Sequence, residues 1–126
     1  MVYRAIDAFN RRDLDGFLAI MDTDVVFTPY EVMVQGGNPY RGHDGVRRWW
    51  DESFAVLPDL TAEIDEVRDL GNVAFVSGRL RGHGAGSGAP IEREMWLAIK
   101  WRDRREVWWA SFESEADALE AARLME

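Results

Sequence analysis

Residues 8–14, Ala8-Phe9-Asn10-Arg11-Arg12-Asp13-Leu14, lead to an acidic turn, Asp22-Thr23-Asp24, and then to an apolar strand, Val25-Val26-Phe27. This stretch decides the fold, because it sets two short helices ahead of the first strand. Val2, Ala5, Ile6 and Phe9 fall on one helical face. Asp13 is placed to cap a second helix, in which Leu14, Phe17, Leu18 and Met21 follow the spacing i, i+3, i+4, i+7. Isolated helices below ~12–15 residues are marginal. The pair must therefore pack on something, and a sheet is the obvious partner.

Outward from that stretch, Val25 to Thr28 reads as a strand ended by Pro29, and residues 30–42 read as a loop rich in breakers: Gly36, Gly37, Asn38 and Pro39. A long helix is expected from about Asp44 to Leu57. Val46, Trp49, Trp50, Ser53, Phe54 and Leu57 form its broad face, and Pro58 stops it. The second half alternates like sheet. Ala62, Ile64 and Val67 lead to a tight turn at Gly71-Asn72, and Val73 to Arg81 is a strand. After a glycine-rich hairpin tip at 82–88, the strand Ile91 to Trp101 puts Ile91, Arg93, Met95, Leu97, Ile99 and Trp101 on one face. Arg102 to Arg105 reads as a turn into a last strand, Val107 to Glu113, and a helix from about Glu115 closes the chain. Helices first and hairpins last make an α+β chain, with a curved, mostly antiparallel sheet wrapped around the long helix.

A chain of 126 residues with 47% hydrophobic content is expected to be a single domain, 1–126, able to bury a core without metal or disulfide. Cysteine is absent, which excludes thiol nucleophiles and thiolate metal sites. The net charge of −8 argues against nucleic-acid binding, which needs a positive face. There is no basic-then-apolar leader and no apolar run near ~18–20 residues, so a cytoplasmic chain with no membrane role is expected. The arginine-heavy cation set, with Lys100 the sole lysine, reads as codon bias.

The order of elements resembles the SnoaL-like domain family of the nuclear transport factor two-like (ketosteroid isomerase-like) superfamily. The resemblance rests on Ala8, Phe9, Asn10, Asp13 and Leu14; on Asp22, Asp24, Val25 and Phe27; on Tyr40-Arg41-Gly42; on Gly86-Ser87-Gly88; and on Phe112 through Ala122. It covers roughly residues 4–124. Two departures stand out: Asp103-Arg104-Arg105 where the family often has Asp-Gly-Lys, and Ser114 where it often has an aspartate. The resemblance implies a cone-shaped, cystatin-like α+β roll with one deep pocket. It also implies cofactor-free acid–base chemistry of the isomerase, cyclase, hydratase or hydrolase kind.

Such chemistry needs a carboxylate whose pKa is raised toward working pH, hence an acid facing an apolar interior. Glu113 is a candidate, on the expectation that it shares a face with Val107, Trp109 and Ser111; its plainer reading is a solvated strand end. Arg93 lies in an otherwise apolar face and needs a partner, for which Glu113 is the expected choice, either to grip an anionic ligand or as a structural pair. Glu31 and Tyr30 are further catalytic candidates, expected at the pocket mouth, with Tyr30 the hydroxyl that orients a carbonyl or phenol. Its plainer reading is an amphipathic rim tyrosine. Phe27, Tyr30, Trp50, Arg93, Met95, Leu97 and Trp109 are the expected ligand-binding set. His43 reads as a helix-start residue and His83 as exposed; their spacing suits no metal site, and none is expected.

Of the six tryptophans, Trp109 falls on one face of the expected sheet and Trp96 and Trp108 on the other, which points to a homodimer through the face away from the pocket. Two functions stay open. One is a protein binding an apolar, ring-containing, polyketide- or terpenoid-like small molecule, with or without catalysis. The other is a non-catalytic dimeric ligand-binding or protein-interaction module.

Overall fold

The computed structural model describes residues 2–125. Helices α1 (Val2–Asn10) and α2 (Leu14–Ala19) form the leading hairpin. Asp13 caps α2 as expected, accepting the Gly16 N–H at 2.9 Å. Asn10 fastens α1 to the sheet: its side-chain amide donates to the Ala62 carbonyl and accepts from the Ala62 N–H, at 2.9 and 2.8 Å.

Strand β1 (Met21–Thr28) starts earlier than expected. The acidic stretch 22–24 is an irregularity inside it, where Asp24 N–H donates to the Asp22 carboxylate and the pairing register jumps between Met21 and Val26. Residues 30–42 are not a plain loop. They hold a short helix, α3 (Tyr30–Gln35), and a two-residue strand, β2 (Tyr40–Arg41). Pro29 starts α3 with its carbonyl accepting from Val32 and Met33, and left-handed Gly36 ends it. No α3 residue is fully buried, so the helix has no apolar stripe to read in the sequence.

Helix α4 (Gly42–Val56) is followed by β3 (Thr61–Asp69), β4 (Val73–His83), β5 (Pro90–Arg102), β6 (Arg105–Phe112) and α5 (Glu115–Met125). Among the described residues, six strands form one sheet in the order β2-β1-β6-β5-β4-β3. Only β1 and β6 run parallel; the other neighbours are antiparallel. The sheet is curved and does not close.

Two glycines make that shape possible. Gly42 has φ 68°, and a Cβ there would lie 3.0 Å from the Thr23 carbonyl, so the start of α4 can hug β1. Gly78 faces the concave side, and a Cβ there would collide with the Glu63 carbonyl, where β3 bulges between Ile64 and Glu66.

The main core fills the concave side, between the sheet and helices α1, α2 and α4, around Phe9, Phe17, Phe27, Val46 and Trp49. A second cluster lies on the convex side, where Ala122 of α5 packs on Val73 and Ala98, with Trp108 and Phe112 beside them. The face expected to be free for a partner subunit is thus partly covered by the chain's own last helix, and Trp108 packs against that cluster.

Candidate functional site

The concave side is not completely filled. A cavity of about 410 Å³, in the range of small-molecule sites, opens between α1, α3, α4 and the sheet. Helix α4 turns Trp49, Glu52, Ser53 and Val56 toward it, a run at i, i+3, i+4, i+7. Strand β5 contributes Arg93, Met95, Leu97 and Ile99, every second residue. Aliphatic and aromatic side chains dominate the walls.

The floor carries the chemistry. Glu106 of β6 lines the cavity, is 1% exposed, and neither carboxylate oxygen has a hydrogen-bond partner. Burial in apolar surroundings raises its pKa from 4.5 to about 8. Its main chain is fixed, since the Glu106 N–H donates to the Ile20 carbonyl at 2.9 Å.

Glu106 escapes sequence reading for a specific reason. Asp103 and Arg104 both take left-handed conformations, with φ 52° and 66°, and form a two-residue hairpin turn. Arg102 then pairs with Arg105 and Trp101 with Glu106, so Glu106 is already strand and faces inward with Trp101. Val107 is an extra residue: Lys100 pairs with Trp108, not with Val107. This bulge shifts the alternation by one, so Glu106, Trp109 and Ser111 all face the cavity. Strict alternation from Trp109 puts Val107 inside and Glu106 outside. The usable signal was hairpin arithmetic, hidden because Arg104 stands where a glycine ordinarily marks such a turn.

The expected site residues divide. Tyr30, Arg93, Met95, Leu97 and Trp109 do line the cavity. Phe27 does not: it is fully buried behind the wall, stacked on Trp109 at 4.3 Å and against Trp49 at 4.7 Å. Trp50 points away, into Phe9, Phe17 and Phe54, and its neighbour Trp49 takes the cavity wall instead. A step of one residue on a helix turns a side chain by about 100°, enough to exchange the two. Trp49 also buries an indole N–H that has no acceptor.

Glu31 stands exposed at the rim. Glu113 lies just beyond the end of β6, exposed, in a shallow surface depression with Met33, Asp117 and Glu120, and outside the cavity. The expected Arg93–Glu113 pair is therefore not formed. Arg93 instead sits over the Tyr30 ring, its guanidinium carbon 3.5 Å from the ring centre.

His43 bonds the Met21 carbonyl at 2.9 Å and ties α4 to β1, while exposed His83 pairs with Asp59 at 2.6 Å. Among the described residues, no group of three or more His, Cys, Asp or Glu could hold a metal ion, and no helix is long and apolar enough to cross a membrane.

The fold recurs in known proteins. The family model for the SnoaL-like domain matches residues 2–109, and the chain belongs to that family. An NTF2-like protein of unknown function from Burkholderia pseudomallei K96243 superposes with a TM-score of 0.79 at 24% identity, over 96% of this chain and 93% of that one. IdmH from Streptomyces antibioticus, a candidate polyketide cyclase, gives 0.75 at 24% identity, over 94% and 93%. A protein of ketosteroid isomerase-like fold from Catenulispora acidiphila DSM 44928, in complex with trimethylamine, gives 0.79 at 14% identity, over 97% and 91%. At these identities the likeness speaks for the fold. No functionally curated protein matches the chain.

Proposed function

We propose that this protein binds an apolar, ring-containing small molecule in its concave cavity and moves a proton on it, with Glu106 as the proton carrier. The observation that carries the reading is the desolvated, unpartnered carboxyl on the floor of an apolar pocket. A buried group of this kind costs stability and contributes nothing to packing that a leucine would not. A pKa of about 8 places both protonation states within reach near neutral pH. The ionised form takes a proton from an activated carbon or hydroxyl of the ligand. The acid form returns it to another atom of the same ligand, which is the balance of an isomerisation or a cyclisation. The Trp49 indole N–H and the Ser111 hydroxyl are polar groups available to a carbonyl or phenol oxygen.

The lining supports an aromatic or polycyclic ligand, and the polyketide cyclase-like neighbour is consistent with that class. Catalytic roles for Glu31, Tyr30 and Glu113 are less well supported: the first and last are exposed, and the Tyr30 ring is occupied by Arg93. The second reading is a binding module without turnover, in which Glu106 is a neutral hydrogen-bond donor to the ligand.

Tryptophan fluorescence titrated with naphthols, hydroxyanthraquinones and steroid enones tests the pocket. Saturable quenching that is lost in Trp109→Ala and Trp49→Ala variants is expected. Proton chemistry is tested by exchange of ligand C–H for deuterium. Exchange should vanish in Glu106→Gln while binding persists. Binding without exchange in the wild type would favour the module; no binding across the panel would sink both readings.

A further inference from the structure

Among the described residues, Arg93 is the one cation that lines the cavity. Its neighbours on β4 are ion-paired: Arg79 with Glu63 and Asp65, and Arg81 with Glu63 and Glu92. Arg93 has no ion pair among the described residues, and its Nε is buried without an acceptor. The sheet itself explains why. On one side its cross-strand partner is Leu80, and on the other β6 has already ended at Phe112, opposite Trp96. No strand supplies a carboxylate. In a chain with 23 acidic and 15 basic residues, a half-buried guanidinium on the cavity wall is left without one.

Its position is nonetheless set. The centre of the Tyr30 ring lies 3.5 Å from the guanidinium carbon, a cation–π contact that holds the group without using any of its N–H donors. A held, unspent guanidinium recognises planar oxyanions, two parallel N–H donors to two oxygens. Arg93 and Trp101, the partner of Glu106, lie near opposite ends of β5, on the order of 26 Å apart along an extended strand. The cavity thus has a cationic station at one end and the buried Glu106 at the other, with Met95, Leu97, Ile99 and Trp109 between them.

We infer that the ligand is an amphipathic anion: a ring-containing body with a carboxylate or equivalent planar oxyanion seated on the Arg93–Tyr30 station. The inference rests on the proposed small-molecule pocket and names the ligand class that pocket takes. Glu106 is consistent with it, because a carboxyl in its acid form does not repel an anion. The rim carboxylates Glu31, Glu52 and Glu94 are exposed and screened by water, so they weaken the approach of an anion without cancelling a direct guanidinium contact.

Isothermal titration with three isosteric probes tests this: naphthalene-2-carboxylate, naphthalene-2-carboxamide and 2-naphthylmethylammonium. The expected result is that the carboxylate binds about 10-fold or more tightly than the amide, the gain of a charge-assisted hydrogen bond over a neutral one. Arg93→Gln should remove that preference while the amide binds as before, which also shows that the variant is folded. Arg93→Lys should keep part of it. Equal affinities for amide and carboxylate in the wild type, a preference for the ammonium, or a carboxylate preference that survives Arg93→Gln would overturn the inference and leave the pocket intact. Failure of all three probes to bind would overturn the pocket reading together with it.

Discussion

An ionised carboxylate at position 106 would sit among apolar side chains with neither oxygen hydrogen-bonded, so the folded chain holds the proton. The unfolded chain releases that proton near its ordinary value of 4.5, and the folded one only near 8. Between these values the folded state binds more protons than the unfolded state. The contribution is fully present below pH 4.5 and is lost as the pH rises through about 8. The whole effect is on the order of 5 kcal/mol. Urea denaturation at pH 5 and pH 9 should show the wild type losing stability with rising pH. The Glu106→Gln variant should lose most of that slope. An unchanged slope in Glu106→Gln would mean that the carboxyl is solvated. A direct check is the 13C resonance of the Glu106 carboxyl, whose midpoint should fall near 8.

At the scale of elements, the site depends on how the first helix, the third strand and the last hairpin are held. Asn10 satisfies both the N–H and the C=O of buried Ala62, so Asn10→Ala strands two main-chain groups at the α1–β3 seam. The expected cost is about 2–3 kcal/mol, read as a lowered urea midpoint at unchanged slope. Gly78→Val would press a branched side chain into the Glu63 carbonyl at the β3 bulge. It should cost at least about 2 kcal/mol and loosen ligand binding, because β3 must retreat from β4 where the sheet curls. At the β5–β6 hairpin, both turn residues are non-glycine and left-handed. Arg104→Gly should therefore stabilise the chain by about 1 kcal/mol, measured as a rise in melting temperature. The bulge at Val107 is the element-level device that matters most, because it brings Glu106 and Trp109 to one face.

The whole molecule is a curved sheet with helices in its hollow and one helix on its back. The hollow holds the cavity, and the back is closed by α5 over Val73, Ala98 and Trp108. A charge driven under that helix should lift it. Ala122→Asp, at a fully buried position, is expected to expose the indole of Trp108, lower the melting temperature by several degrees and promote self-association, seen by size-exclusion chromatography with light scattering. If Ala122→Asp remains monodisperse and as stable as the wild type, α5 does not seal the convex face.

The sequence alone determined the α+β class, the order of the longer elements, the capping of α2 by Asp13 and the inward face of β5, because each is written in local spacing: helical periodicity, a side-chain oxygen ahead of an apolar run, and strict alternation in an unbroken strand. It also carried the family, since that signature is an order of short motifs. The tertiary structure decided what depends on how elements meet. The rotation of α4 against the sheet chose Trp49 over Trp50 for the cavity wall, both residues belonging to the same apolar face. The early end of β6 separated Glu113 from Arg93 and left the guanidinium to the Tyr30 ring. The left-handed turn and the single extra residue at Val107 carried Glu106 to the floor of the pocket. A bulge changes no residue type and breaks no pattern that a window of sequence can register. It moves the count by one, and in a strand that count alone chooses between the cavity and solvent.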